Sequence, residues 1–261
     1  MPTIQEKKAQ TSIVICAYNE QKTIQDVVSK CHRFNPESEI VVVDDGSTDQ
    51  THQILTRLNE EIPFRYIRLS QNQGKSNAMV VGVEEAKKDI IMFFDADVSG
   101  IKEKHFEELL SPLDQEADMV LGSPSETLID YRVNPFKSLT GERTLYKKDI
   151  EPILENIRDI RFGVETYMNL YFQAHGKKVK YLLLEGLTHP TKYKKTTPKA
   201  ATTEFVSEGK EIAMTLLKNY DLITQRITNS FEEKGDNFRT SMRKIQKDLN
   251  DKIQVLLGNN G

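Results

Sequence analysis

The chain has 261 residues, of which 38% are hydrophobic and 29% charged, a composition typical of a globular protein with one large α/β domain and an extension. Its formal net charge of −3 at pH 7 argues against a protein whose main role is to neutralise a nucleic-acid backbone. We therefore expect no nucleic-acid partner.

The chain also lacks the hydrophobic segments that direct a protein into or across a membrane. Residues Met1–Gln10 are polar, unlike a signal peptide, and no run approaches the ~18 apolar residues of a spanning helix. Cys16 lies in an apolar run and Cys31 on the apolar side of a predicted helix, which favours buried thiols over a disulfide. We expect a cytoplasmic protein that meets a membrane, if at all, at its inner face.

The first third of the chain alternates short β-branched runs with helical patterns, which is typical of a parallel sheet built from βαβ units. The predicted strands there are Ile13–Cys16, Ile40–Val43, Tyr66–Leu69 and Ile90–Phe94. Helices are predicted to follow the first three, beginning near Asn19, Ser47 or Thr48, and Lys75. Later predicted elements are a strand at Met119–Leu121, helices near Pro135–Lys148 and Glu165–His175, and a strand at Val179–Leu184.

A basic segment lies between residues 177 and 199. It carries seven lysines against one acid, Glu185, so its local charge is about +6 in a chain that is acidic overall. Such a charge favours a diphosphate, a phosphorylated acceptor or anionic lipid headgroups, with a merely solvated loop as the alternative. Its part Thr188–Thr203 is rich in Lys, Thr and Pro and is predicted to be a mobile loop that orders over a bound donor.

The last part of the chain is predicted to be helical from about Glu204. Its apolar residues recur every three or four positions, as in a helix that packs against a partner: Phe238, Met242, Ile245, Leu249, Ile253 and Leu256. We therefore predict a catalytic domain at 1–203 and a C-terminal helical extension at 204–261 that forms a homodimer or docks on a membrane. Within the catalytic domain, the nucleotide-binding half is 11–122 and the acceptor half 123–203.

Acidic residues follow the predicted strands at the end where open α/β sheets bind ligands. The second strand is followed by Asp44, Asp45 and Asp49, and the fourth by Asp95 and Asp97. A divalent cation takes carboxylate oxygens and helps a pyrophosphate group to depart by neutralising its charge. We therefore predict a site for Mg²⁺ or Mn²⁺ at Asp95 and Asp97, with a simple acidic turn as the alternative.

Four motifs in the first hundred residues resemble those of family 2 glycosyltransferases of the GT-A type, in order and spacing: Ala17-Tyr18-Asn19-Glu20, Val43-Asp44-Asp45-Gly46-Ser47-Thr48-Asp49, Asn72-Gln73-Gly74-Lys75 and Phe94-Asp95-Ala96-Asp97. The resemblance implies a Rossmann-like GT-A fold, a mixed and mostly parallel sheet flanked by helices. It implies that Lys75 lies beside the donor diphosphate and that Asp95 and Asp97 serve the ribose and the metal. The remaining donor-binding residues would be Ala17, Tyr18, Glu20, Asp45, Ser47, Gly74 and Ala96.

Three motifs in the second half resemble a narrower set of that family, the glucosylphosphoglycerate synthase-like and polyprenyl-phosphate sugar transferase-like enzymes: Thr140-Gly141-Glu142-Arg143, Phe162-Gly163-Val164-Glu165, and His189 followed by Lys192. The resemblance implies that Glu165 lies near the acceptor and that His189 completes the metal shell. Alternatives stay open, because Glu165 also suits the positive end of a helix dipole. Arg143 is suited either to a two-point contact with an acceptor phosphate or to a solvent-exposed ion pair.

We therefore predict a glycosyltransferase that moves a sugar from a nucleotide-diphosphate donor, with UDP favoured, to a hydroxyl or phosphate of a phosphorylated or lipid-linked acceptor. The predicted catalytic residues are Glu165, Arg143 and Asp97. One alternative is a dolichol- or polyprenyl-phosphate hexosyltransferase that uses GDP-mannose or UDP-glucose. Another is an inactive protein whose helical tail mediates assembly. A nucleotidyltransferase is disfavoured, since no Gly-rich, Arg-containing loop follows the first strand.

Overall fold

One seven-stranded sheet organises the part of the chain that the computed structural model describes, which comprises residues 2–124, 140–158, 160, 163–189, 218–219, 221–223 and 225–226. The strands are β1 (Thr11–Ala17), β2 (Glu39–Asp44), β3 (Arg65–Arg68), β4 (Ile90–Phe93), β5 (Met119–Pro124), β6 (Arg143–Tyr146) and β7 (Val179–Leu184). Their spatial order is β3-β2-β1-β4-β6-β5-β7. Strand β6 runs antiparallel to β4 and β5, and the other neighbouring pairs are parallel.

Helices flank this sheet. They are α1 (Ile4–Ala9), α2 (Ile24–Phe34), α3 (Thr51–Glu61), α4 (Lys75–Glu85), α5 (Glu103–Leu110), α6 (Lys147–Ile150), α7 (Leu154–Arg158) and α8 (Val164–Ala174), with a short 3₁₀ helix at Glu151–Ile153. The predicted mixed, mostly parallel sheet flanked by helices is therefore confirmed. The four predicted N-terminal strands are all present, with ends that differ by one or two residues.

Successive side chains of β1 point to opposite faces of the sheet and supply two separate cores. Ile13 and Ile15 pack in a cluster with residues of α2, α3 and α5, whereas Val14 packs with residues of α4, α7 and α8. All three β1 side chains have at most 1% of their surface exposed. Burial on both faces explains why β1, β2 and β4 read as continuous apolar runs rather than as alternating patterns.

The chain after β1 forms a turn where a helix was expected from Asn19. Helix α2 begins only at Ile24. Asn19 has a φ of 58°, in the left-handed region, which is incompatible with a right-handed helix but tolerated by Asn. Its Oδ1 accepts a hydrogen bond of 2.8 Å from the backbone N–H of Thr48 in the loop after β2. The start predicted at Asn19 is therefore wrong, because this residue links two loops.

The predicted helix at Pro135–Lys148 is wrong at Arg143–Tyr146, which form strand β6, whereas Lys147 and Lys148 begin helix α6. Residues 135–139 lie outside the described part of the chain. The four β6 residues pair with Ile90–Phe93 of β4 in an antiparallel register, with Arg143 opposite Phe93. Pairing with a neighbour distant in sequence overrides local helical preference here. It also places Thr140–Glu142 beside the carboxyl end of β4.

Several expectations concern residues outside the described part of the chain. They include nearly all of the Thr188–Thr203 loop, Lys192, Phe162 and the helical seam from Phe238 to Leu256, so the domain boundary at 203 and the homodimer stay predictions. Within 204–261, Leu222 is described and packs into the core on the α4 face of the sheet. No helix of the described residues is both long enough and apolar enough to cross a bilayer.

Candidate functional site: an acidic cluster at the carboxyl ends of the central strands

Three side chains that are far apart in sequence converge where β4 ends. Asp95 and Asp97 follow β4, and His189 lies in the loop after β7. One potential ligand atom from each of the three residues lies within 4.8 Å of the other two, and each residue is half-buried. His189 Nδ1 is 3.1 Å from Oδ1 of Asp97. The predicted grouping of these residues is therefore present in the structure.

A short bridge between two loops brings His189 to this point. Ser99 and Thr188 exchange two backbone hydrogen bonds of 2.9 and 3.0 Å, and their hydroxyl groups are 2.9 Å apart. On the same loop, the carbonyl of Glu185 lies 3.0 Å from Nε2 of the buried His105 on α5. These contacts tie the segment after β7 to the segment after Asp97. The loop that carries His189 is thus held at the mouth of the sheet.

The donor set of this cluster fits a divalent cation. Two carboxylates and an imidazole are suitable ligands for Mg²⁺ or Mn²⁺, which in nucleotide sites leave further positions to phosphate and water. Burial alone would lower the pKa of His189, but the hydrogen bond to Asp97 and the charges of Glu142 and Asp95 raise it above its ordinary value. The protein therefore concentrates negative charge around the imidazole, as a cation site requires.

Lys75 connects the acidic cluster to helix α8. Its Nζ lies 3.0 Å from Oδ1 of Asp95 and 3.0 Å from Oε1 of Glu165, in the first turn of α8. Burial would lower the pKa of Lys75, but the two carboxylates outweigh it and raise the pKa well above the ordinary range. Lys75 is therefore a permanent positive charge beside the predicted metal site.

The same charges act on Glu165. Burial would raise its pKa, whereas the positive charges of Lys75 and Arg143 lower it to about 2. The carboxylate is therefore ionised throughout the neutral range. Glu165 is both the acid in the first turn of α8 and a partner of Lys75, so the helix-dipole role and the site role are compatible.

Asp45 holds the turn that positions Lys75. Its two carboxylate oxygens accept hydrogen bonds of 2.8 Å from the N–H of Gln73 and 2.9 Å from the N–H of Gly74. Gly74 has a φ of 98°, a conformation that favours glycine, and Lys75 begins α4 directly after it. Asp45 is 3% exposed. Its visible role is thus to fix the loop from which Lys75 projects.

The remaining predicted donor residues differ in exposure. Tyr18 is 43% exposed at the end of β1, where its ring is open to a ligand. Ala17 and Ala96 are buried, so any contact with a donor falls to their backbone. Ser47 is also buried, and its hydroxyl accepts a hydrogen bond of 3.0 Å from the N–H of Asn19. The carboxylate of Glu20 lies 3.3 Å from the Thr23 hydroxyl.

The segment Thr140–Arg143 forms the wall behind the cluster. The Gly141 backbone lies so close to Asp95 that a Cβ on Gly141 would meet both carboxylate oxygens at 2.1 Å. Glu142 is fully buried, and its Oε1 is 3.8 Å from Nε2 of His189. Burial, followed by the charge of Asp95, raises the pKa of Glu142 to about 7.

Arg143 is also fully buried, so of the two alternatives kept open for it the solvent-exposed ion pair is wrong. One of its guanidinium nitrogens donates a hydrogen bond of 2.6 Å to the carbonyl of Thr140. Its charge acts on Glu165, as the lowered pKa of that group shows. A contact between Arg143 and an acceptor stays a prediction.

Sequence reasoning did not single out Gly141 or Glu142 as site residues. Both lie within the helix predicted at Pro135–Lys148. The motif Thr140-Gly141-Glu142-Arg143, which carries part of the family resemblance, was the available signal, but the place of its residues at the site depends on β6 pairing with β4. The wall of the site was therefore not predictable from periodicity.

Comparisons with known proteins agree with this architecture. The model of the family described as Glycosyl transferase family 2 matches residues 12–179. The poly-beta-1,6-N-acetyl-D-glucosamine synthase of Staphylococcus epidermidis is 36% identical over 87 residues, which are 33% of this chain and 21% of that protein. The Staphylococcus aureus (strain COL) synthase is 35% identical over 95 residues, 36% of this chain and 23% of that protein. The chain thus matches less than a quarter of the length of these relatives.

Solved structures show the same fold. Glucosyl-3-phosphoglycerate synthase from Mycobacterium tuberculosis, in complex with Mn²⁺, UDP and phosphoglyceric acid, superposes with a TM-score of 0.63 at 20% identity, covering 84% of this chain and 83% of that chain. Its complex with Mn²⁺, UDP-glucose and phosphoglyceric acid gives a TM-score of 0.62 at 19% identity, covering 83% of both chains. The predicted GT-A fold is confirmed. Since the family match extends over more than half of its residues, the chain belongs to glycosyl transferase family 2.

Proposed function

We propose that the chain is a cation-dependent glycosyltransferase that moves a sugar from a nucleoside diphosphate, with UDP favoured, to a phosphorylated acceptor. The observation that carries the proposal is the convergence of Asp95, Asp97 and His189 at the carboxyl end of β4. The solved neighbour from M. tuberculosis was crystallised with Mn²⁺, UDP-glucose and phosphoglyceric acid, which supports the choice of nucleotide and acceptor class.

The residues around the cluster have separate tasks in this proposal. A cation held by Asp95, Asp97 and His189 would neutralise charge that develops on the departing diphosphate. Lys75 adds a second positive charge at the same place, because its ammonium lies 3.0 Å from Asp95. Tyr18 offers an exposed aromatic face on which the base stacks. Both the cation and the Lys75 ammonium would thus stabilise negative charge on the donor.

Glu165 is proposed to orient the acceptor rather than to remove its proton. A carboxylate with a pKa of about 2 is a weak base at neutral pH, since efficient general bases have a pKa close to the working pH. An ionised carboxylate is nevertheless a strong hydrogen-bond acceptor for a hydroxyl group. Glu165 lies in the first turn of α8 and pairs with Lys75, so its carboxylate borders the site on the α8 side.

The test is donor cleavage and sugar transfer by the purified chain, with UDP- and GDP-sugars as donors and phosphoglycerate or a short polyprenyl phosphate as acceptor. We expect cleavage of a UDP-sugar that requires Mn²⁺ or Mg²⁺. We expect the activity of Asp97→Asn to fall by more than the ~10–100-fold that is typical when an outer-shell partner of a metal ligand is removed. Asp26→Asn is the control, since Asp26 is exposed on α2 and pairs with Lys30.

Three results would count against the proposal. Full activity of Asp97→Asn would show that the reaction does not depend on a cation bound by Asp97. Transfer only from GDP-mannose to polyprenyl phosphate would replace the proposed donor and favour the polyprenyl-phosphate hexosyltransferase. Absence of any donor binding, measured as a thermal shift with and without Mn²⁺, would favour the assembly protein with an inactive site.

A further inference from the structure

A buried carboxylate lies directly behind the predicted metal ligand His189. The Glu142 side chain has no exposed surface, and its Oε2 is 2.8 Å from the Thr140 hydroxyl. Its other oxygen, Oε1, is buried without a hydrogen-bond partner in the described part of the chain. A buried acceptor that lacks a hydrogen-bond partner is unfavourable, so such an atom in a native site requires an explanation.

This oxygen faces the imidazole of His189. Nδ1 of His189 faces Oδ1 of Asp97 at 3.1 Å, on the side of the acidic cluster. Nε2 of the same ring is 3.8 Å from Oε1 of Glu142, an ion-pair distance slightly longer than a hydrogen bond. One ring nitrogen thus faces the cluster and the other faces Glu142.

This arrangement matches the chemistry of a histidine that binds a metal. The nitrogen that binds the cation must be unprotonated, so the other nitrogen carries the proton and requires an acceptor. A carboxylate in that place fixes the tautomer, orients the ring and makes it a better ligand. Among the described residues, Glu142 is the acidic group next to Nε2.

We propose that Glu142 is a positioning residue, which accepts the Nε2 proton of His189 and so directs Nδ1 toward the cation shared with Asp95 and Asp97. The inference rests on the proposed function, because it requires that the cluster binds a cation. It adds a residue that touches neither donor nor cation. The antiparallel strand β6 would then support the metal site from behind, since Glu142 precedes its first residue.

The test measures Mn²⁺ binding alone, by the electron paramagnetic resonance signal of free Mn²⁺ during titration of the whole chain. We expect Glu142→Leu to weaken Mn²⁺ binding about 10–100-fold, the range found for outer-shell partners of metal ligands. Glu142→Gln keeps the shape of the side chain and an amide oxygen as hydrogen-bond acceptor, so it should lose less Mn²⁺ affinity than Glu142→Leu. It also serves as a second variant if the leucine variant does not fold.

A double-mutant cycle shows whether Glu142 acts through His189. In a His189→Ala background, Glu142→Leu should change Mn²⁺ affinity by less than about twofold, because the group that it orients is absent. Thr144→Val is the matched control, since Thr144 is also fully buried in β6 and its hydroxyl lacks a partner among the described residues. This variant should bind Mn²⁺ as the native protein does.

The Nε2–H of His189 gives a readout that is independent of affinity. In the Mg²⁺-loaded native protein, NMR of the imidazole should show an Nε2 proton shifted downfield by a hydrogen bond to a carboxylate, and the Mg²⁺-loaded Glu142→Leu variant should lose that downfield shift. Equal losses of Mn²⁺ affinity in both backgrounds, or no loss in Glu142→Leu, would overturn the inference and leave the proposed function standing. A native chain that binds no Mn²⁺ would overturn both.

Discussion

Replacing Gly141 by alanine should damage the metal site while the protein still folds. Gly141 lacks a positive φ, so alanine is compatible with its conformation. The added Cβ, however, would lie 2.1 Å from both oxygens of Asp95 and 2.2 Å from its Cγ, whereas ordinary Cβ contacts stay beyond 3.0 Å. The carboxylate of Asp95 must therefore retreat by about 0.9 Å, or β6 must move.

A retreat of this size has a calculable effect on ligation. Metal–oxygen distances in a protein site are held to about ±0.2 Å, so a carboxylate displaced by several times that amount no longer ligates in the same geometry. Lys75 would also lose its 3.0 Å contact with Asp95. We expect a loss of Mn²⁺ affinity of about 10–100-fold, or ~1.4–2.8 kcal/mol. Overpacking should lower global stability by only about 1–3 kcal/mol.

The assay is the same Mn²⁺ titration, together with urea unfolding of the metal-free protein. Gly82→Ala is the matched control, because its Cβ would meet Cγ1 of Val14 at 2.3 Å in the core. That variant should lose stability without a comparable loss of Mn²⁺ affinity. If Gly141→Ala binds Mn²⁺ within about twofold of the native protein, the close approach of Gly141 to Asp95 does not shape the site.

Three further predictions concern stability and reactivity. The lowered pKa of Glu165 stabilises the fold by about 3 kcal/mol above pH ~4.3, and this contribution is lost as the pH falls toward 2. The difference in unfolding free energy between the native protein and Glu165→Gln, measured in urea, should therefore shrink between pH 6 and pH 3. A difference that stays constant would contradict the lowered pKa. Lys7 is 2% exposed, and its ammonium group donates hydrogen bonds to the carbonyls of Leu110 and Leu113. Lys7→Met should therefore lower the free energy of unfolding in urea by about 2–3 kcal/mol. An unchanged urea midpoint would refute this. Cys31 has no exposed surface, and burial raises the pKa of its thiol, so it should react with Ellman's reagent only in denaturant; labelling of Cys31 in the native protein, located by mass spectrometry, would contradict this.

Local sequence patterns were sufficient to predict the strands of the nucleotide-binding half and the edge of the sheet at which their polar residues lie. Residues at the ends of β1, β2 and β4 were expected at one edge, because parallel strands that follow one another through helices bring their carboxyl ends together. The same reasoning placed Asp95 and Asp97 at the mouth of the sheet, where they lie. Runs of apolar β-branched residues identify such strands from the amino acids alone.

Long-range contacts decided the rest of the site. The ion pairs of Lys75 with Asp95 and Glu165 join residues that are 20 and 90 positions apart, and no periodicity encodes them. The visible role of Asp45, which is to hold the turn before α4 through two backbone amides, also required the folded loop. His189 was grouped with the acids from a family resemblance, and its place at the mouth of the sheet depends on the Ser99–Thr188 bridge.

The amino-acid sequence by itself determined the class of fold, the positions of the N-terminal strands along the chain and the place of Asp95 and Asp97 at the edge of the sheet. These properties follow from local hydrophobic patterns and from residue types at strand ends. Only the tertiary structure decided that Arg143–Tyr146 form an antiparallel strand, because that pairing joins residues about fifty positions apart. The pairing buries Glu142 behind His189 and presses Gly141 against Asp95, so the wall of the site is a consequence of packing rather than of any local signal.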